Sequence, residues 1–399
     1  VVQLSEPGGH GAEARRQRRR RRERAALRRA LPVLSVVLLA ATAACGSSSQ
    51  SAERSTTVPT TQPTTSAGSP SESSAVSEPG TAADVHQKLA EGFGYLTVRD
   101  GVQLSIDVML PGLASSGPYP TVVEYSGYDP SNPDNTTFGQ LLNTLGFAYV
   151  GVNMRGTGCS GGSFRLFEQK QLDDGYDVIE TVAAQPWTLH HKVGMVGISY
   201  SGITQLFVAS TQPPSLAAIT PLSVTDDLYR STLYPGGILN TGFAVKWAAQ
   251  RDAEAKPFGQ AWTKKRSDAG DSVCAANQNQ RTDNQDLQRT IADNPYYDPT
   301  LGDLVNPSLL VKRINVPVFL SGAWQDEQTG GHFPDFLANF TGTKHLYVTV
   351  TNGLHTESLG LGSLERYYEF LDLYVAKKTP ALIGLANFIP KVPYKSIFD

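Results

Sequence analysis

The chain has 399 residues, 40% of them hydrophobic and 9% aromatic, which is enough for a large core and for about two domains. Its formal net charge of -3 hides an asymmetry, because ten arginines lie between Arg15 and Arg29. From residue 45 on, 24 of the 34 basic and 34 of the 37 acidic residues remain, a net charge of about -10. A body this acidic excludes a nucleic-acid binder, which needs clustered Lys and Arg.

The first 44 residues are typical of a secretory signal peptide. The arginine-rich segment is followed by the apolar run 31–44, which is too short to span a bilayer, and then by small residues. Ala43 and Ala44 stand directly before Cys45, as in a bacterial lipobox, although Thr42 occupies the usual leucine position. We therefore expect export, lipidation of Cys45 and anchoring to the outer face of the cytoplasmic membrane.

Two alternatives for this leader stay open. The signal can be cleaved ordinarily after Ala43 or Ala44, which would leave Cys45 incidental. The pair Arg28-Arg29 also abuts the apolar run, as in a twin-arginine export signal.

The next segment, residues 45–82, is rich in Ser, Thr, Pro and Gly and predicts a disordered tether between the anchor and the folded part. Beyond it stand two further cysteines, Cys159 and Cys274. An exported protein sits where disulfides persist, but the sequence leaves open whether these two cysteines pair.

From residue 83 on, strand and helix patterns alternate. Apolar, β-branched runs predict strands on both sides of the Asp100-Gly101 turn and at 121–125, 147–154, 192–197, 216–222, 316–322 and 345–350. Helical spacing predicts helices at 173–184, 201–210 and 364–377. This alternation favours a mostly parallel sheet with helices on both faces, formed by 83–225 and 311–399. The polar stretch 226–310 interrupts it and predicts a helical cap insertion.

The motif Gly197-Ile198-Ser199-Tyr200-Ser201-Gly202 is close to Gly-x-Ser-x-Gly, with Ser201 and Gly202 where the second glycine would stand, and it lies between a predicted strand and a predicted helix. This setting is that of a nucleophile elbow, a turn so tight that its flanking positions have no room for large side chains. A serine there sits at a helix N-terminus, where backbone N–H groups favour developing negative charge. Ser199 is therefore the predicted nucleophile.

A serine nucleophile needs a histidine base and an acid that orients it, in the chain order Ser, acid, His for this kind of elbow. His355 lies in a short loop after the last predicted strand, where the base should be. His332, in a loop after the preceding strand, is the alternative base.

Asp326 follows the strand before the histidine strand and is the predicted acid. Asp226 and Asp227, which follow the strand at 216–222, are the alternative, and Glu327 is the close neighbour of Asp326.

Several motifs together resemble the cocaine-esterase-like (CocE/NonD) hydrolases, the group that includes the Xaa-Pro dipeptidyl-peptidases. They are VNMRGTGCSGG at 152–162, DDGYDVIETVAAQPW at 173–187, KVGMVGISYSG at 192–202 and GAWQDEQTGG at 322–331. The resemblance implies the α/β-hydrolase fold with Ser199, Asp326 and His355 as catalytic triad. It also implies an oxyanion hole formed by the hydroxyl of Tyr128 and the backbone N–H of Tyr200.

The chain departs from that family after His355. Members usually continue into a β-sandwich (jelly-roll) domain, whereas 44 residues follow His355 here. We therefore expect that the chain is a fragment or that the domain is lost.

The predicted function is hydrolysis of a small ester, amide or peptide substrate through an acyl-enzyme on Ser199. No metal or cofactor is expected, because there is no ligand cluster, and the glycine-rich RGTGCSGG lacks the lysine of a phosphate-binding loop. An acyltransferase with the same triad and a non-catalytic surface lipoprotein are the alternatives. The sequence also leaves open whether the enzyme is an esterase or a dipeptidyl-peptidase, which would need acids near the pocket to hold the ammonium group of its peptide substrate.

Overall fold

The computed structural model describes residues 86–380. The predicted signal peptide, Cys45 and the tether lie outside the described residues. The described part is built on one eight-stranded sheet with the order β1-β2-β4-β3-β5-β6-β7-β8. The strands are β1 (Gly92–Thr97), β2 (Gln103–Met109), β3 (Tyr119–Ser126), β4 (Ala148–Asn153), β5 (Thr188–Met195), β6 (Leu216–Ile219), β7 (Val318–Ala323) and β8 (Leu346–Thr351).

The sheet is mostly parallel, which confirms the predicted fold class. Only the pairs β1–β2 and β2–β4 are antiparallel; from β4 across to β8 every neighbouring pair is parallel. In the centre, Val123 of β3 lies between Val150 of β4 and Met195 of β5. The carboxyl ends of the parallel strands therefore share one edge, where ligands bind in open α/β sheets.

Helices connect the strands and cover the sheet. They are α1 (Thr137–Thr144), α2 (Gln169–Ala183), α3 (Tyr200–Ser210), α4 (Ala244–Glu254), α5 (Ala261–Asp268), α6 (Ser272–Gln278), α7 (Leu287–Asp293), the one-turn α8 (Pro299–Gly302) and α9 (Leu361–Tyr374). Helix α1 was not predicted from the sequence, because its short segment shows no long apolar period.

The two larger apolar clusters among the described residues form the core. One contains Val178 and Val182 of α2 and Leu206 of α3, all fully buried. The other contains Phe370 and Leu371 of α9 together with residues of α1. Helix α3 is buried along its whole length, and its polar side chains, such as Thr204 and Gln205, are hydrogen-bonded to backbone carbonyl groups.

Two predicted strands around the elbow have different bounds in the structure. Strand β5 begins at Thr188 and ends at Met195, before the glycine of the motif. Strand β6 ends at Ile219, and Leu222 instead forms single bridges to Ile198 and Ser321. The regular strand pairing ends before this point, because the Leu222 carbonyl accepts a hydrogen bond from the N–H of Ser199 in the tight turn.

Helices α4 to α8 lie between β6 and β7, in the segment predicted as a cap. A disulfide joins Cys274 of α6 to Cys159 in the loop after β4, which answers the question that the sequence left open. The Arg281 side chain donates to the carbonyl oxygens of Gly158 and Ser160 at 2.8 and 2.7 Å. These links attach the cap segment to the loop that follows β4. Within residues 86–380, no helix is long and apolar enough to cross a membrane.

Candidate active site

Ser199 occupies the turn between β5 and α3. Its backbone has φ 61° and ψ −124°, a conformation that L-residues rarely adopt. Ser199 is buried, with 8% of its surface exposed. Its N–H donates to the Leu222 carbonyl at 2.9 Å, and its own carbonyl accepts from Gly202 and Ile203 at the start of α3. Hydrogen bonds on both sides of the serine thus maintain its strained backbone conformation.

Two glycines make this turn sterically possible. Gly197 has φ 138°, and a Cβ there would lie 2.4 Å from Cβ of Ser201. A Cβ on Gly202 would lie 2.6 Å from the Leu222 carbonyl oxygen. Non-bonded atoms do not approach each other this closely, so neither position has room for a side chain and both require glycine.

Asp326 and His355 are hydrogen-bonded to each other. Asp326 follows β7, and its two carboxylate oxygens lie 2.9 and 2.8 Å from Nδ1 of His355, which follows β8. Both residues are buried, at 7% and 4% exposure. Because the carboxylate contacts Nδ1, the other ring nitrogen, Nε2, faces away from it. This is the geometry of an acid that orients a histidine base.

Asp326 is itself held by the turn that follows it. Its Oδ1 accepts from the N–H groups of Gln328 and Thr329, and its Oδ2 from the Thr329 hydroxyl at 2.8 Å. Burial on its own would raise the pKa of Asp326. The hydrogen bond and charge of His355, together with the two N–H donors, outweigh burial and hold that pKa below its usual value. The carboxylate is therefore ionised at neutral pH.

His355 is fixed through its backbone. Its N–H donates to Oε2 of Glu327 at 3.0 Å, and its carbonyl accepts from the Ser223 hydroxyl at 2.6 Å. Ser223 directly follows Leu222, to which Ser199 is bonded, so the two loops are tied at the same sheet edge. Nε2 of His355 is buried and has no hydrogen-bond partner among the described residues. It therefore makes no hydrogen bond to Oγ of Ser199.

Tyr128 lies beside the elbow, in the loop after β3. Its hydroxyl oxygen is 3.5 Å from Oγ of Ser199, which is a long contact, and accepts from Nε1 of Trp247 at 3.1 Å. Tyr200 is the first residue of α3, so its N–H has no acceptor inside the helix. The structure therefore brings the two predicted oxyanion donors to the predicted nucleophile.

None of the alternative residues is hydrogen-bonded to the ring of His355 or to Oγ of Ser199. His332 is exposed, and its nearest acid is Asp335 at 3.9 Å. Asp227 caps the turn Leu228–Leu233 and binds Arg230 and Asn306, while the backbone carbonyl of Asp226 accepts from Ser308. Glu327 contacts only the backbone N–H of His355, not its ring.

An apolar cavity of about 170 Å³ opens beside Ser199. Its walls come from the start of α3, the turn Leu228–Leu233 and the cap helices α4 and α7. Among the described residues that line it there is no Asp, Glu, Lys, Arg or His. The polar groups at its surface are hydroxyls and amides, such as those of Thr232, Thr290 and Asn294. The cavity suits an uncharged apolar group.

Sequence reasoning did not single out the residues that support this site. Trp247 and Gln260 come from the cap segment, far in sequence from Tyr128, and no local motif marks them. Thr329 lies within the motif at 322–331, three residues after Asp326, but was not singled out. Gln260 donates to the Tyr128 carbonyl at 2.9 Å. No group of three or more His, Cys, Asp or Glu residues within residues 86–380 is placed to hold a metal ion.

A serine on a strained turn between a central parallel strand and a helix is the arrangement that defines the α/β-hydrolase class, and the fold places the chain in it. Residues 100–357 match the family described as X-Pro dipeptidyl-peptidase (S15 family). The match spans more than half of the chain, so the chain belongs to this family. The resemblance to the CocE/NonD and Xaa-Pro dipeptidyl-peptidase group is thereby confirmed.

Curated relatives match a shorter segment. A Rhodococcus protein named cocaine esterase is 32% identical over 158 residues, covering 38% of this chain and 27% of that protein. A Mycobacterium bovis protein named as a candidate serine esterase is 29% identical over 180 residues, covering 40% and 28%. The matched segment thus spans less than a third of these relatives' length.

Solved structures share the fold. A CocE/NonD family hydrolase from Staphylococcus aureus has a TM-score of 0.57 at 21% identity, covering 76% of this chain and 57% of that one. An α-amino acid ester hydrolase has a TM-score of 0.56 at 17% identity, covering 78% and 58%.

Proposed function

We propose that the protein is a serine hydrolase that cleaves esters of uncharged, apolar acyl groups through an acyl-enzyme on Ser199. The hydrogen-bonded pair Asp326–His355 carries the proposal, because an acid that orients a buried histidine leaves Nε2 available to take the proton of a serine hydroxyl once the two groups meet. In this structure Nε2 is not hydrogen-bonded to Ser199. The elbow at Ser199 supports it independently.

The steps follow from these groups. Oγ of Ser199 attacks the ester carbonyl carbon while Nε2 of His355 takes its proton, and ionised Asp326 stabilises the imidazolium that forms. The hydroxyl of Tyr128 and the N–H of Tyr200 donate to the oxyanion. The carbon–oxygen bond then breaks, and His355 gives its proton to the leaving alcohol. Water, deprotonated by His355, attacks the acyl-enzyme and releases the acid and Ser199.

The cavity favours an ester over a peptide that would bind with its free amino terminus in the cavity. A substrate ammonium group buried there would lack a carboxylate partner, and an unpaired buried charge is costly. The volume of the cavity, about 170 Å³, is similar to that of a cavity that holds one benzene ring, about 150 Å³. We therefore expect an acyl group the size of one aromatic ring or a short alkyl chain.

A panel of chromogenic substrates tests this proposal. We expect p-nitrophenyl hexanoate or benzoate to exceed the p-nitrophenyl ester of a cationic amino acid by about tenfold or more in kcat/KM. Xaa-Pro p-nitroanilides, suggested by the family's description, should be poor substrates. Preferential cleavage of these anilides would replace the ester proposal with a dipeptidyl-peptidase. Acyl transfer to an added alcohol in preference to water would indicate an acyltransferase.

We also propose export with lipid attachment at Cys45, on the strength of the leader sequence alone. Growth of a bacterial host with labelled palmitate should label the wild-type protein and not Cys45→Ala. Label kept by the variant, or absent from both proteins, would reject the anchor.

A further inference from the structure

The hydroxyl group of Tyr128 is held between two contacts. Its oxygen lies 3.5 Å from Oγ of Ser199 and 3.1 Å from Nε1 of Trp247, in the cap helix α4. We infer that Trp247 is a positioning residue that fixes the direction in which Tyr128 donates its proton. This inference rests on the proposed function, because it assumes that Tyr128 donates to the oxyanion.

The direction follows from hydrogen-bond chemistry. An indole N–H can only donate, so the phenol oxygen of Tyr128 is the acceptor at Trp247. The single phenol proton must then point elsewhere, and the other polar neighbour of that oxygen is Ser199. A carbonyl attacked by Ser199 would place its oxygen on this side. Donation from Trp247 also polarises the O–H bond of Tyr128 and so strengthens the hydrogen bond that this hydroxyl donates.

Aromatic packing holds Trp247 and Tyr128 in place. Tyr200 packs edge-to-face on Tyr128, with 5.4 Å between ring centroids, and on Trp247, with 5.6 Å. Tyr200 is 2% exposed, so its ring is fixed by the core. The residue that supplies the second proposed oxyanion donor thus also braces the pair that supplies the first.

The cap holds Tyr128 from two further directions. Arg251, one turn after Trp247, places its guanidinium carbon 4.6 Å from the centre of the Tyr128 ring and pairs with Glu254 at 2.7 Å. Gln260 donates to the Tyr128 carbonyl. The position of the Tyr128 hydroxyl therefore depends on how helix α4 and the following Gln260 pack against the loop after β3.

Trp247 also lines the cavity, so a positioning role must be separated from a wall role. A wall acts through the area of its ring and changes mainly KM, whereas positioning acts through the N–H and changes kcat. Trp247→Phe separates them, because phenylalanine keeps an aromatic ring and lacks the N–H.

The experiment measures kcat and KM of Trp247→Phe with p-nitrophenyl hexanoate, in the wild-type and Tyr128→Phe backgrounds. In the wild-type background we expect kcat to fall about three- to tenfold, the rate equivalent of one neutral hydrogen bond. In the Tyr128→Phe background it should change by less than about twofold, since no hydroxyl remains to position.

Trp262→Phe is the matched control. Trp262 lies in α5, is 8% exposed, and its Nε1 has no hydrogen-bond partner among the described residues. The same chemical change there should leave kcat within about twofold of wild type.

Equal losses of kcat in both backgrounds, or no loss in the wild-type background, would overturn the inference. So would a Tyr128→Phe variant with normal kcat, whereas failure of the proposed function would appear as no hydrolysis by the wild type. If Trp247→Phe does not fold, site-specific replacement of Trp247 by 3-benzothienylalanine, which keeps the indole shape without the N–H, gives the same test.

Discussion

The protonation of Asp326 links the active site to stability. Its pKa is lower in the folded protein than in the unfolded chain, where it is about 3.9. Its interactions therefore stabilise the fold above that value, and the contribution is lost as the pH falls through the lower, folded pKa. A negative charge paired with His355 and two N–H groups is the cause.

Asp326→Asn tests this account. At neutral pH we expect kcat to fall by about 10³-fold or more, because the amide no longer orients and stabilises the imidazolium. The difference in the free energy of unfolding between wild type and variant should shrink between about pH 5 and pH 3. Denaturant unfolding at several pH values measures it, and a difference that grows toward pH 3 would contradict the assigned role.

How far the site was predictable differs from residue to residue. The neighbourhood of Ser199 is encoded locally, because a tight strand-to-helix turn demands glycines at fixed positions. Asp326 and His355 could be predicted from their places after successive strands. Trp247 could not, because its contact with Tyr128 joins residues 119 positions apart and depends on how the cap helix is seated.

The elbow is the element whose geometry the proposed chemistry depends on most. The Leu222 carbonyl accepts the Ser199 N–H, and the same oxygen occupies the space where a Cβ on Gly202 would lie. Any side chain at Gly202 therefore pushes on the partner that holds Ser199.

Gly202→Ala should lower the free energy of unfolding by about 1–3 kcal/mol, as overpacking of a core does, and should also reduce kcat. Gly362→Ala in α9 is the matched control, because a Cβ there meets nothing within 4 Å. That variant should be neutral or more stable by up to about 1 kcal/mol. Thermal unfolding and ester hydrolysis of both variants measure this; a Gly202→Ala protein that matches wild type in both would refute the steric account.

At the scale of elements, the buried strands were predictable because their runs are continuous and apolar. The end of β5 was not, since Val196 continues the apolar run while the backbone already turns toward Ser199. The short helix α1 was missed because eight residues provide too few turns for a periodic signal.

For the whole molecule, the disulfide Cys159–Cys274 closes a loop with a sequence separation of 115 between the cap segment and the loop after β4. Both cysteines are fully buried. In the chain-entropy account, a cross-link over about 100 residues restricts the unfolded chain by roughly 4–5 kcal/mol.

We expect Cys159→Ala/Cys274→Ala to lose about 2–5 kcal/mol of unfolding free energy. Denaturant unfolding with and without reductant measures it. The wild type should be weakened by reductant and the double variant should not respond. Equal stability of the two proteins under oxidising conditions would show that the cross-link contributes nothing.

The overall fold was predictable because alternating strands and helices allow few topologies. The pairing of Cys159 with Cys274 was not, because two cysteines far apart in sequence carry no local signal. The leader, the tether and Cys45 lie outside residues 86–380, and their roles stay predictions.

The central claim is that Ser199 is the nucleophile, and covalent labelling tests it most directly. A fluorophosphonate reacts with a serine hydroxyl only where a base activates it. Intact-protein mass spectrometry after exposure to the reagent should show one adduct on the wild-type protein, and peptide mapping should assign it to Ser199. Ser199→Ala should stay unlabelled, keep its fold and lose about 10³-fold or more in kcat. An adduct on another residue, or a Ser199→Ala variant that hydrolyses esters at the wild-type rate, would contradict the account.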